Sequence, residues 1–347
     1  MKQVFTRVAV KVGSNVLTRR DGTLDVTRMS ALVDQIAELH KSGVEIILIS
    51  SGAVASGRSE VSPQKKLDSV DQRQLFSAVG QAKLINRYYE LFREHNIPVG
   101  QVLTTKESFG TRRHYLNQKN CMTVMLANGV IPIVNENDTI SVSELMFTDN
   151  DELSGLIASM MNVQALIILS NINGIYNGSP SNPDSSVIRE IEHGKDLSNY
   201  IQASKSSFGR GGMLTKTNIA RKVADEGITV IIANGKRDNI LVDLLQHPDE
   251  TLCTRFIPSN EPVSSVKKWI ASEGFAKGEI HINKCATEIL NSENAVSILP
   301  IGITRIEGEF EKDDIVRIMD FQGNQVGIGK VNCDAKQAKE AIGKHGK

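Results

Sequence analysis

The chain has 347 residues, 40% of them hydrophobic, with 40 Lys plus Arg balanced by 40 Asp plus Glu. That length holds two domains, or one large and one small, and leaves enough apolar material for a sizeable core. The balanced charge provides no bulk field for nucleic acid or an anionic membrane, so any anionic ligand must be held by local charges.

From the amino end, "MKQVFTRVAVKVGSN" has its apolar run broken by Arg7 and Lys11 and is too short for a signal peptide. No later run approaches a membrane span. "VAVKVG" reads as a buried strand with Lys11 near its end, and a lysine snorkelling at a strand end is an equally good account of that residue alone. The segment "TRMSALVDQIAELHKSG" has helical spacing of apolar residues, and "VEIILISSGA" is a second strand. At the strand-to-helix junction "SSGAVASGR", Ser51 and Gly52 suit either an anion site or an ordinary helix cap. Two further helices follow, "DQRQLFSAVGQAKLINRYYELFREHN" and "YLNQKNCMTVMLANG", and then the strand "VIPIVNEND".

Beyond it, "FTDNDEL" places Asp149, Asn150 and Asp151 before the apolar run "LSGLIASMM". An acidic first turn complements a helix dipole, but capping does not need three such residues. The strands "ALIILSNING" and "ITVIIANG" flank "FGRGGMLTKT" and the helix "TKTNIARKVADEG". A Walker loop would need Gly-Lys followed by Ser or Thr. Here Lys216 follows Thr215 instead.

The alternation predicts an α/β fold, a mostly parallel central sheet with helices on both faces. The strands end in polar or glycine-rich tips, the edge where open α/β sheets bind ligands. After "CTRFIPSNEPVSSVKKWI" the rhythm stops, Pro258 and Pro262 flank a polar stretch, and short strands follow in a small β-rich module. The expected division is a first domain over 1–257, a linker over 258–274 and a second domain over 275–347. Cys121, Cys253, Cys285 and Cys333 lie far apart without a Cys-x-x-Cys pair, which argues against a zinc site or disulfide scaffold and suits a reducing cytoplasm.

Lys11-Val-Gly-Ser, "SSGAVASGR", "NENDTI", "TDND", "SNINGIY" and "GRGGMLTK" occur in this order and together resemble the amino acid kinase family. The segment from "GEIHIN" to "VGIGKV" resembles a PUA domain, and the chain stops at "AIGKHGK", before the final strand of a complete PUA fold, so this module is expected to be naturally short or truncated. The resemblance implies transfer of the ATP γ-phosphoryl group to the side-chain carboxylate of L-glutamate, the first step toward proline, with Mg²⁺ brought by ATP. It assigns catalysis to Lys11, Lys216 and Asp151, with Asp151 holding the two lysines rather than acting as a base. ATP contacts map to Lys11, Ser170, Asn171, Arg210, Gly211, Gly212, Met213, Leu214, Thr215 and Lys216, and substrate contacts to Ser51, Asp138 and Asn150, with Asn135 in addition. Proline as inhibitor and a homo-oligomer, dimer or tetramer, are further implications.

Two positions depart from the family pattern. Asn171 and Ser179 stand where Asp is usual, which bears on nucleotide preference and metal contact. The alternatives are a related carboxylate kinase acting on N-acetylglutamate, or an RNA-binding protein working through the PUA-like module. From Asn260 onward, 12 Lys plus Arg face 13 Asp plus Glu, a poor charge for neutralising phosphates, although five of those lysines fall in the last 18 residues.

Overall fold

The computed structural model describes residues 5–141, 147, 149–192, 212–260, 276–290 and 297–344. They fall into two units, Met1–Thr105 with Lys119–Val263, and Lys106–Gln118 with Ser264–Lys347. Of the linker expected over 258–274, only 258–260 are described.

Runs of Val, Ile and Leu make the sheet of the first unit: β1 (Arg7–Val12), β2 (Glu45–Ser50), β3 (Val99–Thr104), β4 (Ile131–Glu136), β5 (Ala165–Ser170), β6 (Glu190–Ile191), β7 (Thr229–Asn234) and β8 (Thr254–Phe256). Their order is β3-β4-β2-β1-β5-β7-β8-β6. All neighbours run parallel except β7 and β8, which are antiparallel. The central strands are buried on both faces, which is why they read as unbroken apolar runs. Three strands escape that pattern. Gly100 and Gln101 interrupt β3, while β6 and β8 are only two and three residues long.

Strand alternation sorts the two faces. Val8, Val10 and Val12 enter one cluster with Met29 and Ile36 of the helix Val26–Lys41 and with Leu84, Tyr88 and Phe92 of the helix Ser69–Glu94. Ala9 and Lys11 therefore point to the opposite face, against which the helix Asn150–Met161 packs. Helix starts follow their caps: the Asp68 side chain accepts from the backbone N–H groups of Val70 and Asp71, and that of Asp149 accepts from Asp151 and Glu152. The short helix Ala53–Arg58 after β2 lies so close to Ser69–Glu94 that a Cβ on Gly80 would stand 1.8 Å from the Ala53 carbonyl oxygen.

In the second unit, β9 (Gly278–Ile282), β10 (Ile303–Gly308), β11 (Ile315–Met319) and β12 (Gln325–Lys330) form a separate sheet in the order β10-β9-β11-β12. Its own core contains Ile282, Phe310, Val316 and Ile318. A charged cluster lines one face, with Glu279 paired to Arg317, and Glu307 to Arg305, beside His281.

Candidate active site

β1 sits centrally, with β2 on one side and β5 on the other, so the strand tips that hold polar residues converge at one edge of the sheet. There they line a cleft of about 640 Å³. Lys11 comes from β1, Ser51 from the end of β2, Asn135 and Asp138 from the end of β4, and Ser170 from the end of β5. Asn150 and Asp151 enter from the first turn of one helix, and Lys216 from the first turn of Met213–Asp225. Residues far apart in sequence thus meet because parallel strands all end on the same side.

At the centre stands Asp151, whose side chain is 1% exposed. The Lys11 Nζ lies 2.5 Å from its Oδ1, and the Lys216 Nζ donates to its Oδ2 at 2.6 Å. Burial pushes this carboxyl up, but the two ammonium groups outweigh burial and hold it below the usual carboxylate range. It is therefore ionised at neutral pH, and it anchors two cations with one group. Asp149 shows the reverse balance: burial first, then the neighbouring Asp151, raises its carboxyl. One of its oxygens caps the helix, and the other, Oδ2, is buried without a hydrogen-bond partner.

The other side of the cleft is a hydrogen-bonded polar set. The Asn150 Nδ2 donates to Ser50 O at 3.0 Å, to Ser51 Oγ at 2.9 Å and to Asn135 Oδ1 at 3.2 Å. Asn135 in turn donates to Gln81 Oε1 at 2.7 Å. Behind this set, Ser50 Oγ and the buried Tyr88 hydroxyl share a hydrogen bond of 2.9 Å. Asp138 is held by Arg73, whose guanidinium also pairs with Glu136.

The remaining expected residues divide three ways. Asn171 follows Ser170 at the β5 tip but is exposed and does not line the cleft; the Ser170 Oγ donates to its Oδ1 at 3.4 Å. Gly212 caps the helix that carries Lys216, and Met213, Leu214 and Thr215 form its first turn outside the cleft wall, with Leu214 exposed. Arg210 and Gly211 lie outside the described residues. Sequence reasoning missed Arg73, Glu136 and Arg58, which also line the cleft. Glu136 sits inside "NENDTI" and so had a signal. Arg58, exposed at the cleft, ends the quoted "SSGAVASGR" and had one too, whereas Arg73 had none, since it reads as a surface position on a helix until the packing turns it inward.

A model of the amino acid kinase family matches residues 6–234, and a model of the PUA domain matches residues 278–347. The chain is 89% identical to a glutamate 5-kinase of Bacteroides thetaiotaomicron, an alignment that covers 100% of this chain and 97% of that one. To a glutamate 5-kinase of Chlorobaculum tepidum it is 48% identical over 99% of this chain and 94% of that one. Among solved structures, a UMP kinase from Ureaplasma parvum aligns with 74% of this chain and 100% of its own at a TM-score of 0.51 and 14% identity. An isopentenyl phosphate kinase substrate complex aligns with 73% of this chain and 100% of its own at a TM-score of 0.52 and 17% identity. At such low identity the two structures speak for the fold alone.

Proposed function

Since the chain belongs to the amino acid kinase family, on its glutamate 5-kinase branch, we propose how its cleft divides the work of phosphoryl transfer. The enzyme moves the γ-phosphoryl group of ATP to the side-chain carboxylate of L-glutamate, in proline biosynthesis. A glutamate carboxyl with an ordinary pKa of ~4.3 is ionised at neutral pH, so the nucleophile needs no general base. The obstacle is bringing an anion to a polyanion. Two unit charges roughly 4 Å apart repel by about 4 kcal/mol at an effective dielectric of about 20.

Cations and positioning must supply the rate. In this reading Lys11 meets the phosphoryl group in transit, and Lys216 meets the β,γ-bridging side and the leaving oxygen. Asp151 keeps both ammonium groups at their stations. The observation that carries the reading is the grip of one buried carboxylate on both lysines, at 2.5 and 2.6 Å. Mg²⁺ would arrive on the nucleotide and offset phosphate charge there, and Asp149, which lines the cleft and whose Oδ2 is buried without a hydrogen-bond partner, would be the residue to hold it.

Glutamate then lies against the polar set, with Asp138 accepting from its α-ammonium and Ser51 and Asn150 donating to its α-carboxylate, Asn135 assisting. ATP lies along Ser170, Asn171 and the stretch Gly212–Lys216, extended by Arg210 and Gly211. The domain division at 1–257 and 275–347 belongs to the same reading, as do a homo-oligomer and inhibition by proline competing in the glutamate pocket. So does a cytoplasmic setting, in which the four unpaired cysteines stay reduced.

The test is an ATP-dependent assay offering glutamate, N-acetylglutamate, aspartate and carbamate, with hydroxylamine trapping the acyl phosphate. Hydroxamate should form with glutamate, fall when proline is added, and fall on the order of 10²-fold in kcat for Lys216→Met with little change in glutamate KM. A Lys216→Met enzyme with near wild-type turnover would refute the lysine assignment.

A further inference from the structure

Among the described residues four cations line the cleft, Lys11, Arg58, Arg73 and Lys216. Three of them already face carboxylates, the two lysines sharing Asp151 and Arg73 bridging Glu136 and Asp138. Arg58 is the fourth, and it has no acidic partner among the described residues. It is exposed at the last position of the helix Ala53–Arg58, three and four residues after Ala55 and Val54, which line the same cleft. Its guanidinium carbon lies over the buried Phe76 ring, 5.6 Å from the centroid. Phe76 follows Gln72 and Arg73, two more cleft residues, by one helical turn. The ring thus seats a charged fork beside the wall that carries Asp138, and leaves its N–H groups free for a ligand.

The polar set assigned to the α-carboxylate of glutamate is short of both charge and donors. An Asn amide has two N–H groups, and three acceptors already draw on those of Asn150: Ser50 O, Ser51 Oγ and Asn135 Oδ1. Ser51 adds one neutral hydroxyl. We propose that Arg58 is a glutamate-binding residue, whose guanidinium takes the α-carboxylate through paired N–H···O bonds while Asp138 takes the α-ammonium. A planar guanidinium matches a carboxylate in this way; a lysine does not. The inference rests on the reading of Ser51, Asp138 and Asn150 as the glutamate pocket, and it adds the group that recognises the negative end of the amino acid. Lys11 and Lys216, held on Asp151, then stay reserved for the phosphoryl group.

Three variants test this, Arg58→Met, Arg58→Lys and Asp138→Asn, each checked for folding by its urea midpoint. In Arg58→Met the KM for glutamate should rise about tenfold, with a smaller change in kcat, while the KM for ATP moves less than about twofold. Arg58→Lys keeps the charge without the fork, and its glutamate KM should fall between those of wild type and Arg58→Met. A second arm uses the α-amide of glutamate, which keeps the ammonium and the side-chain carboxylate but lacks the α-charge, read as an inhibition constant against glutamate. Wild type should hold this amide at least about tenfold more weakly than glutamate. Arg58→Met should change that constant less than about twofold, because the group that Arg58 meets is gone. An unchanged glutamate KM in Arg58→Met, or an equal loss for the acid and the amide, overturns the proposal. Asp138→Asn separates the two levels: if it leaves the glutamate KM unchanged, the pocket assignment itself fails and this inference with it. If Asp138→Asn is impaired but Arg58→Met is not, only the role of Arg58 is lost.

Discussion

The cleft ties up its carboxylates in two ways, Asp151 between two lysines and Asp138 by an arginine shared with Glu136. Asp151→Asn should leave Lys11 and Lys216 facing each other without a counter-charge. It is expected to lower kcat on the order of 10²-fold and to destabilise the protein by about 3 kcal/mol at neutral pH. Because the folded-state pKa of Asp151 is depressed, its contribution is present above the ordinary carboxylate pKa and lost as pH falls through the folded value. The stability gap between wild type and variant in urea denaturation should therefore close on acidification, and a constant gap would count against the pairing. Tyr88 gives the alkaline counterpart. Burial pushes its hydroxyl up to about 12, so the neutral form favours the fold and wild-type stability falls as pH rises above ~10, where the unfolded chain ionises first. Tyr88→Phe should lose about 1 kcal/mol with the Ser50 hydrogen bond and lack that alkaline component. At this scale Lys11, Asp151 and Lys216 were legible only through the resemblance carried by their motifs together, since Lys11 alone reads equally well as a lysine snorkelling at a strand end. Arg73 was not, because an arginine on an amphipathic helix has many unremarkable explanations.

Among the elements, the helix Ala53–Arg58 is the one that places the Ser51 junction, and its seat is a backbone-to-backbone contact. A Cβ on Gly57 would lie 1.8 Å from the Phe76 carbonyl oxygen, as one on Gly80 would from that of Ala53. Neither carbonyl can rotate away as a side chain would. Gly80→Ala should therefore force the two helices apart, at a cost of about 3 kcal/mol, and shift the urea midpoint downward with a raised glutamate KM in the fraction that folds. An unchanged midpoint would mean that the approach is looser than described. The five strands with unbroken apolar runs were readable from periodicity, and so were the long helices. β3 was hidden by Gly100 and Gln101, and β8 by its three-residue length and antiparallel pairing at the far side of β7, since neither feature leaves a periodic trace.

For the molecule as a whole, the second unit contains a sheet with its own core, and the chain from Asn260 onward carries 12 Lys plus Arg against 13 Asp plus Glu. A gel-shift titration with tRNA should show no binding that weakens with salt; a steep salt dependence would instead point to phosphate neutralisation. No helix among the described residues is long and apolar enough to cross a membrane. By itself the sequence determined the α/β class and the chain order of the polar strand tips, because burial and turn chemistry act over a few residues, while the two lysines and their acidic neighbours became candidates through the family resemblance. Only the tertiary structure decided that Lys11 and Lys216, 205 positions apart, share one carboxylate, and that Arg73 faces Glu136 and Asp138. Pairings of that kind depend on which strands lie side by side and which helix face turns inward, and chain periodicity carries no record of either.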